Sequence, residues 1–167
     1  RNGGVEIYAA LKRGNAALEA LAKDWAASFG KAPHVAVIDM TNFVVCLTGA
    51  KGDAIAQDPT LYITDADGEE WEELLEQIQS TLEDGLSDKG RAVEDKWPVI
   101  DRKTPKLRKN VSQWWAAVVK ACRSGSAYNY ALLEALVAIL QTLSSANVRA
   151  LRHTATVCTY VSSFDQK

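Results

Sequence analysis

Residues 106–123 read KLRKNVSQWWAAVVKACR, and the spacing of their apolar and cationic side chains predicts one helix with two opposed faces. At about 100° per residue, with Lys109 set at zero, Lys106 falls near +60°, Lys120 near +20° and Arg123 near −40°. These four cations share an arc of about 100°. Leu107, Val111, Trp114, Trp115, Val118 and Cys122 fall between about 140° and 240°, on the opposite side. One cationic stripe is therefore backed by one core stripe. From Lys109 to Arg123 it spans about 21 Å at 1.5 Å per residue, a length comparable to a groove crossing with its flanking phosphates.

The surrounding charge sharpens this reading. Thr64 to Asp95 holds twelve acidic and two basic residues, a local charge of −10, whereas Lys96 to Arg123 holds eight basic and one acidic, a local charge of +7. The two blocks cancel into a whole-chain charge of −2. Asymmetry of this kind points to an interaction surface. Arg102 and Lys103 approach the helix from the preceding segment, and Arg108 thickens its N-terminal end. No Gly-rich phosphate cradle, zinc finger or RRM-type aromatic motif accompanies the patch, and nothing in it suits base reading. The expected ligand is double-stranded DNA or another polyanion, held by phosphate contacts without sequence preference. The competing reading is a solvated charged face, some of whose cations pair with the acidic helix. Against it, Lys106 and Lys109 occupy the first turn, where the helix dipole favours acids.

Outward from this helix, apolar spacing is helical nearly throughout. Leu18, Leu21, Ala22, Trp25 and Phe29 recur at i, i+3, i+4, i+7 and i+11. Gly30 and Pro33 interrupt the chain, with Pro33 suited to the first turn of the next helix. Val35 to Leu47 is apolar on several faces and predicts a helix buried almost all round, closed by Gly49 and Gly52. Asp53 to Thr64, with Pro59, reads as loop. Asp67 and Glu70 make a capping pair ahead of the stripe Trp71, Leu74, Leu75, Ile78 and Leu82. Gly85 to Thr104 reads as an extended connection. Ser124-Gly125 closes the basic helix. A helix from about Ala127 to Leu143 follows, with Leu132, Leu133, Leu136, Val137, Ile139, Leu140 and Leu143 inward. The last helix begins near Asn147. Short links favour antiparallel neighbours, and the fold class expected is all-α: antiparallel helix pairs of HEAT-like α-solenoid type.

At 167 residues and 47% hydrophobic, the chain has enough apolar material for one domain with its own core. Arg1 is not a start methionine, and Val5 to Leu11 is too short for a signal sequence, so a fragment of a longer chain is expected. The run Ala131 to Leu140, broken by Glu134, is too short to span a bilayer, and no membrane partner is expected. Cys46, Cys122 and Cys158 are widely spaced and include no C-x-x-C, which argues against zinc and against a disulfide framework. Cys122 on the apolar face reads as a buried thiol, suited to a reducing compartment. His34 and His153 are far apart, and His153 reads as a structural hydrogen-bonding residue. No nucleophile elbow, Walker A, H-E-x-x-H or EF-hand pattern occurs. No enzymatic activity, cofactor or metal is expected.

Val148 to Thr156 reads VRALRHTAT and resembles the V-R-A-F-R-H-T-x-T motif of the STAG domain, found in the stromalin subunits of cohesin. Further anchors keep the family's order. Leu11-Lys12-Arg13-Gly14 is similar to its V-K-x-G, Asp24-Trp25 to its D-W, and Ile38 to Phe43 to its L-D-L-I-N-F. Cys46 to Gly52 resembles C-x-G-C-x-G, with Ala50 where the family often has a second Cys. Trp97-Pro98-Val99 resembles Y-P-L, and Lys106 to Lys109 the W-K-K-F-like segment. After Thr156 the family continues with an Ala/Leu/Met-rich helix, whereas here CTYVSSFDQK follows.

The resemblance implies a single helical STAG-type domain over 1–167, irregular or loop-rich at 48–66 and 85–105, forming an N-terminal portion of a HEAT-type subunit. It implies a nuclear, chromosome-associated protein that supports cohesin loading and retention and sister-chromatid cohesion, partly through direct DNA contact. The implied partners are the cohesin kleisin subunit and core complex, engaged mostly by parts outside this fragment. The alternative is a protein-interaction scaffold, docking kleisin or loader through the acidic helix or the Cys46–Gly52 region, with no direct DNA binding.

Overall fold

The computed structural model describes residues 3–14, 17–49, 72–81, 105–123, 130–145 and 149–164, and within them the chain is all-α. The helices are α1 (Gly3–Arg13), α2 (Leu18–Lys31), α3 (Pro33–Leu47), α4 (72–81), α5 (Pro105–Arg123), α6 (Tyr130–Ser144) and α7 (Arg149–Phe164). None of them is long and apolar enough to cross a membrane.

The centre of the fold is α3. His34, Ala36 to Ile38 and Met40 to Leu47 are all buried, as a helix apolar on several faces requires. Buried Thr41 is accommodated within the helix, its Oγ1 donating to the Val37 carbonyl at 2.8 Å. Pro33 occupies the first turn, where a missing N–H costs nothing. The last turn is closed by Thr48, whose hydroxyl donates to the Val45 carbonyl at 2.6 Å, and by Gly49 at φ +89°.

Helix α2 reaches α3 across the single residue Ala32, so the chain reverses sharply. Ala22, Trp25 and Phe29 are its buried face. The Trp25 indole N–H donates to the Ala36 carbonyl at 2.9 Å, which satisfies the one polar atom of that side chain at the α2–α3 seam. Helix α1 packs on α3 rather than on its sequence neighbour. Gly3 and Gly4 make this possible: a Cβ on Gly4 would stand 2.6 Å from the Phe43 amide nitrogen. Asp39 in α3 accepts a bond from the Gly3 N–H at 3.2 Å, at the positive end of the α1 dipole.

Helix α5 packs against α2, α1 and α7, and α6 pairs with α7. Trp114 and Trp115 are fully buried, with Phe43 of α3 against both rings. Centroid separations are 5.9 Å to Trp114 and 6.3 Å to Trp115, in tilted to edge-on geometry. Such pairs contribute about 0.5–1.5 kcal/mol each beyond the area they bury. On α4, Leu74 and Ile78 enter the same core while Glu72, Glu73 and Glu76 stay exposed.

One inward assignment is corrected. Val137 is 46% exposed, whereas Leu136, Ile139, Leu140 and Leu143 are buried. Val137 lies about 100° around α6 from Leu136, on the side of exposed Glu134 and Gln141, so it belongs to the solvent face. Sequential pairing accounts for α6–α7 and α2–α3, while α1 and α5 find their main partners far along the chain. The loop over Asp53–Thr64, the Asp67–Glu70 capping pair, Trp71, Leu82, the connection 85–104, the Ser124-Gly125 stop and the side chain of Leu132 lie outside the described residues.

Candidate nucleic-acid interface

The two faces of α5 separate as its spacing predicts. Leu107, Val111, Trp114, Trp115, Val118 and Cys122 are buried, and Lys106, Arg108, Lys109, Lys120 and Arg123 are exposed. No acidic residue stands in the first turn, and Lys120 and Arg123 complete the last. The C-terminal pair suits the helix dipole; Lys106 and Lys109 oppose it. Arg108 leaves the helix about 100° from Lys109 and flanks the stripe rather than lying on it. Arg102 and Lys103 lie outside the described residues.

Two tertiary contacts border the stripe. Lys120 Nζ lies 3.1 Å from Glu19 Oε1 at the start of α2, with both side chains about two-thirds exposed, at 67% and 66%. An exposed pair of this kind is worth about 0–1 kcal/mol and yields readily to a competing anion. The partner is thus in α2, not in the acidic helix α4. Below it, Leu18, Glu19, Gln113, Ala116, Ala117 and Lys120 line a shallow notch, open because two alanines face it. At the other end of the stripe, Asn110 Nδ2 donates to the Leu11 carbonyl at 2.9 Å. Leu11 is in the last turn of α1, where carbonyls have no partner within the helix, so α5 caps α1. Gly14, at φ +80°, ends that helix.

A second concavity, between α1, α2 and α3, is lined by Ile7, Leu21, Trp25 and Val35 with Glu6, Asp24 and Asp39 at its edge. Three carboxylates make it unsuited to phosphate. Among the described residues no group of three or more His, Cys, Asp or Glu side chains is placed to hold a metal ion. The three cysteines are buried free thiols. Burial pushes the Cys122 thiol up to about 11, partly opposed by the charge of Arg123, and the Cys158 thiol up to about 12, partly opposed by Trp115. Neither is a thiolate nucleophile at neutral pH.

The family model for the STAG domain matches residues 95–163. That stretch of the chain is similar to a STAG domain. The matched stretch includes α5, α6 and nearly all of α7, so the cationic stripe lies within it. It also covers the anchors Trp97-Pro98-Val99, Lys106 to Lys109 and Val148 to Thr156, while those from Leu11 to Gly52 precede it. Within VRALRHTAT, Leu151, Thr154 and Ala155 are buried while Arg149, Arg152 and Thr156 are exposed, so the motif has one packing face and one solvent face. The departure after Thr156 leaves α7 helical to Phe164.

The chain is also similar to "Cohesin subunit SA-1" of Xenopus laevis, 23% identical over 155 residues. That alignment covers 92% of this chain and 11% of the relative, so the chain spans about a tenth of the relative's length. No solved structure matches. Glu19 and Leu11 were not identifiable as neighbours of the stripe from sequence. They meet it across separations of 101 and 99 residues, and no periodicity reports contacts at that range.

Proposed function

We propose that this chain is a non-catalytic, DNA-contacting module of a cohesin accessory subunit. It binds duplex phosphates without sequence preference through Lys106, Lys109, Lys120 and Arg123, with Arg108 on the flank and Arg102 and Lys103 entering from the preceding segment. In that role it supports cohesin loading and retention on chromosomes, in the nucleus, while kleisin contact falls to other parts of the subunit. The observation that carries the reading is the exposed cationic stripe on the reverse of a buried tryptophan face, with Lys106 in the turn where helix stability favours acids.

Neutralising four to six phosphates gives a slope of log K against log salt of about −4 to −5. A salt-dependent titration of the chain with two duplexes of unrelated sequence measures it, and equal slopes are expected. Absence of binding in low salt removes this reading and leaves the scaffold, for which the acidic-edged concavity between α1, α2 and α3 is the better surface.

Glu19 has a predictable effect. Its carboxylate neutralises one end of the stripe, so Glu19→Gln frees Lys120 and raises duplex affinity in low salt by about two- to fivefold, the scale of one exposed ion pair. The gain disappears at high salt. Reduced affinity in this variant counts against Lys120 as a phosphate contact.

A further inference from the structure

The hydrogen bond from Asn110 to the Leu11 carbonyl, 2.9 Å long, brings the last turn of α1 against the first half of α5. Lys12 and Arg13 follow Leu11 directly, and both are exposed. Lys109 precedes Asn110 directly, and Lys106 lies about one turn before it. Gly14 sits beside the junction, where an added Cβ would meet Asn110 Nδ2 at an ordinary contact distance of 3.6 Å. Four cations therefore bracket one interhelical hydrogen bond. Neither α5 nor the last turn of α1 carries a carboxylate, so nothing on either segment neutralises them.

We infer that the phosphate-binding surface is two helices wide, with Lys12 and Arg13 of α1 contacting duplex phosphates beside those held by Lys106 and Lys109. The inference rests on the DNA-contacting reading of α5 and extends it to a helix outside the matched STAG segment. Packed helices lie about 8–10 Å apart, so α1 adds a second row of charge alongside the stripe rather than lengthening it. The Asn110 amide takes up the Leu11 carbonyl, one of the open carbonyls of that last turn, and so lessens the repulsion of an anion there. Lys12 Nζ lies 5.3 Å from the centroid of the Tyr8 ring, which fixes the ammonium along α1. The simpler role for both residues is to complement the negative end of the α1 dipole. That role predicts a change in stability and none in DNA binding.

The test is the duplex titration against salt, run on the parent chain, Lys12→Gln/Arg13→Gln, and the charge-keeping exchange Lys12→Arg/Arg13→Lys. The Gln pair retains most of the apolar stems and removes two charges. Its slope is expected to be shallower than the parent's by about 1.8, at roughly 0.9 per phosphate contact. The exchange variant keeps the parent slope. Thermal melting followed by circular dichroism accompanies each titration. A Gln pair that melts like the parent and keeps the parent slope overturns the inference and leaves the α5 reading standing. A parent chain that does not bind duplex overturns both. Should the Gln pair melt early, the single variant Arg13→Gln decides, with an expected slope change of about 0.9.

Discussion

Reversing the four stripe charges, Lys106→Glu, Lys109→Glu, Lys120→Glu and Arg123→Glu, is expected to abolish duplex binding while leaving the helix bundle folded. The change replaces four cations by four anions on one arc of α5. Every phosphate contact then becomes a repulsion, and the slope of log K against log salt falls from about −4 to −5 to near zero. The loss is equal on unrelated duplexes, because phosphate contacts carry no sequence information.

Stability moves the other way at two of the positions. Glu in the first turn of α5 complements the helix dipole, so Lys106→Glu favours the helix by about 0.3–1 kcal/mol, and Lys109→Glu, just past that turn, by less. Lys120→Glu places two carboxylates together at Glu19, at a cost of about 1 kcal/mol or less in so exposed a pair. The core face, from Leu107 to Cys122, is untouched. A variant that melts within a few degrees of the parent and no longer shifts DNA locates the site. Undiminished binding by the folded variant means that the stripe is only a solvated face.

The largest stability effect is expected from a single methyl group. Gly4→Ala would put its Cβ 2.6 Å from the Phe43 amide nitrogen and 2.9 Å from Asn42 Cβ. Both belong to buried α3, which has no room to retreat. The N-terminal half of α1 must lift, carrying Ile7 out of the core and straining the bond from Gly3 to Asp39. Overpacking at a backbone contact costs about 1–3 kcal/mol or more, and outweighs the gain of up to about 1 kcal/mol from replacing a helical glycine.

Gly30→Ala is the matched control. Gly30 is in the last turn of α2, and a Cβ there meets nothing within 4 Å. That variant is expected to gain about 0.5–1 kcal/mol, so the two substitutions move the melting temperature in opposite directions. Equal shifts in the two melting curves mean that α1 does not cross α3 at Gly4.

The sequence by itself determined which residues face inward wherever a helix has one apolar stripe. The α5 pattern, the all-round burial of α3 and the Trp25–Phe29 face of α2 follow from a 3.6-residue period. That period is set by backbone geometry and needs no knowledge of neighbours. Val137 marks its limit: an apolar residue at the edge of a stripe is buried only if another helix covers that edge, and none of the described ones does.

The reach of the cationic surface was a tertiary matter. The stripe from Lys106 to Arg123 was legible as soon as its angles were drawn. Its neighbours Glu19 and Asn110's partner Leu11 were not, because chain reversal and helix packing bring them in from about a hundred residues away. One contact subtracts a charge from the stripe, and the other sets Lys12 and Arg13 beside it. Local periodicity thus named the face, and packing of α1 and α2 against α5 decided how wide and how positive it is.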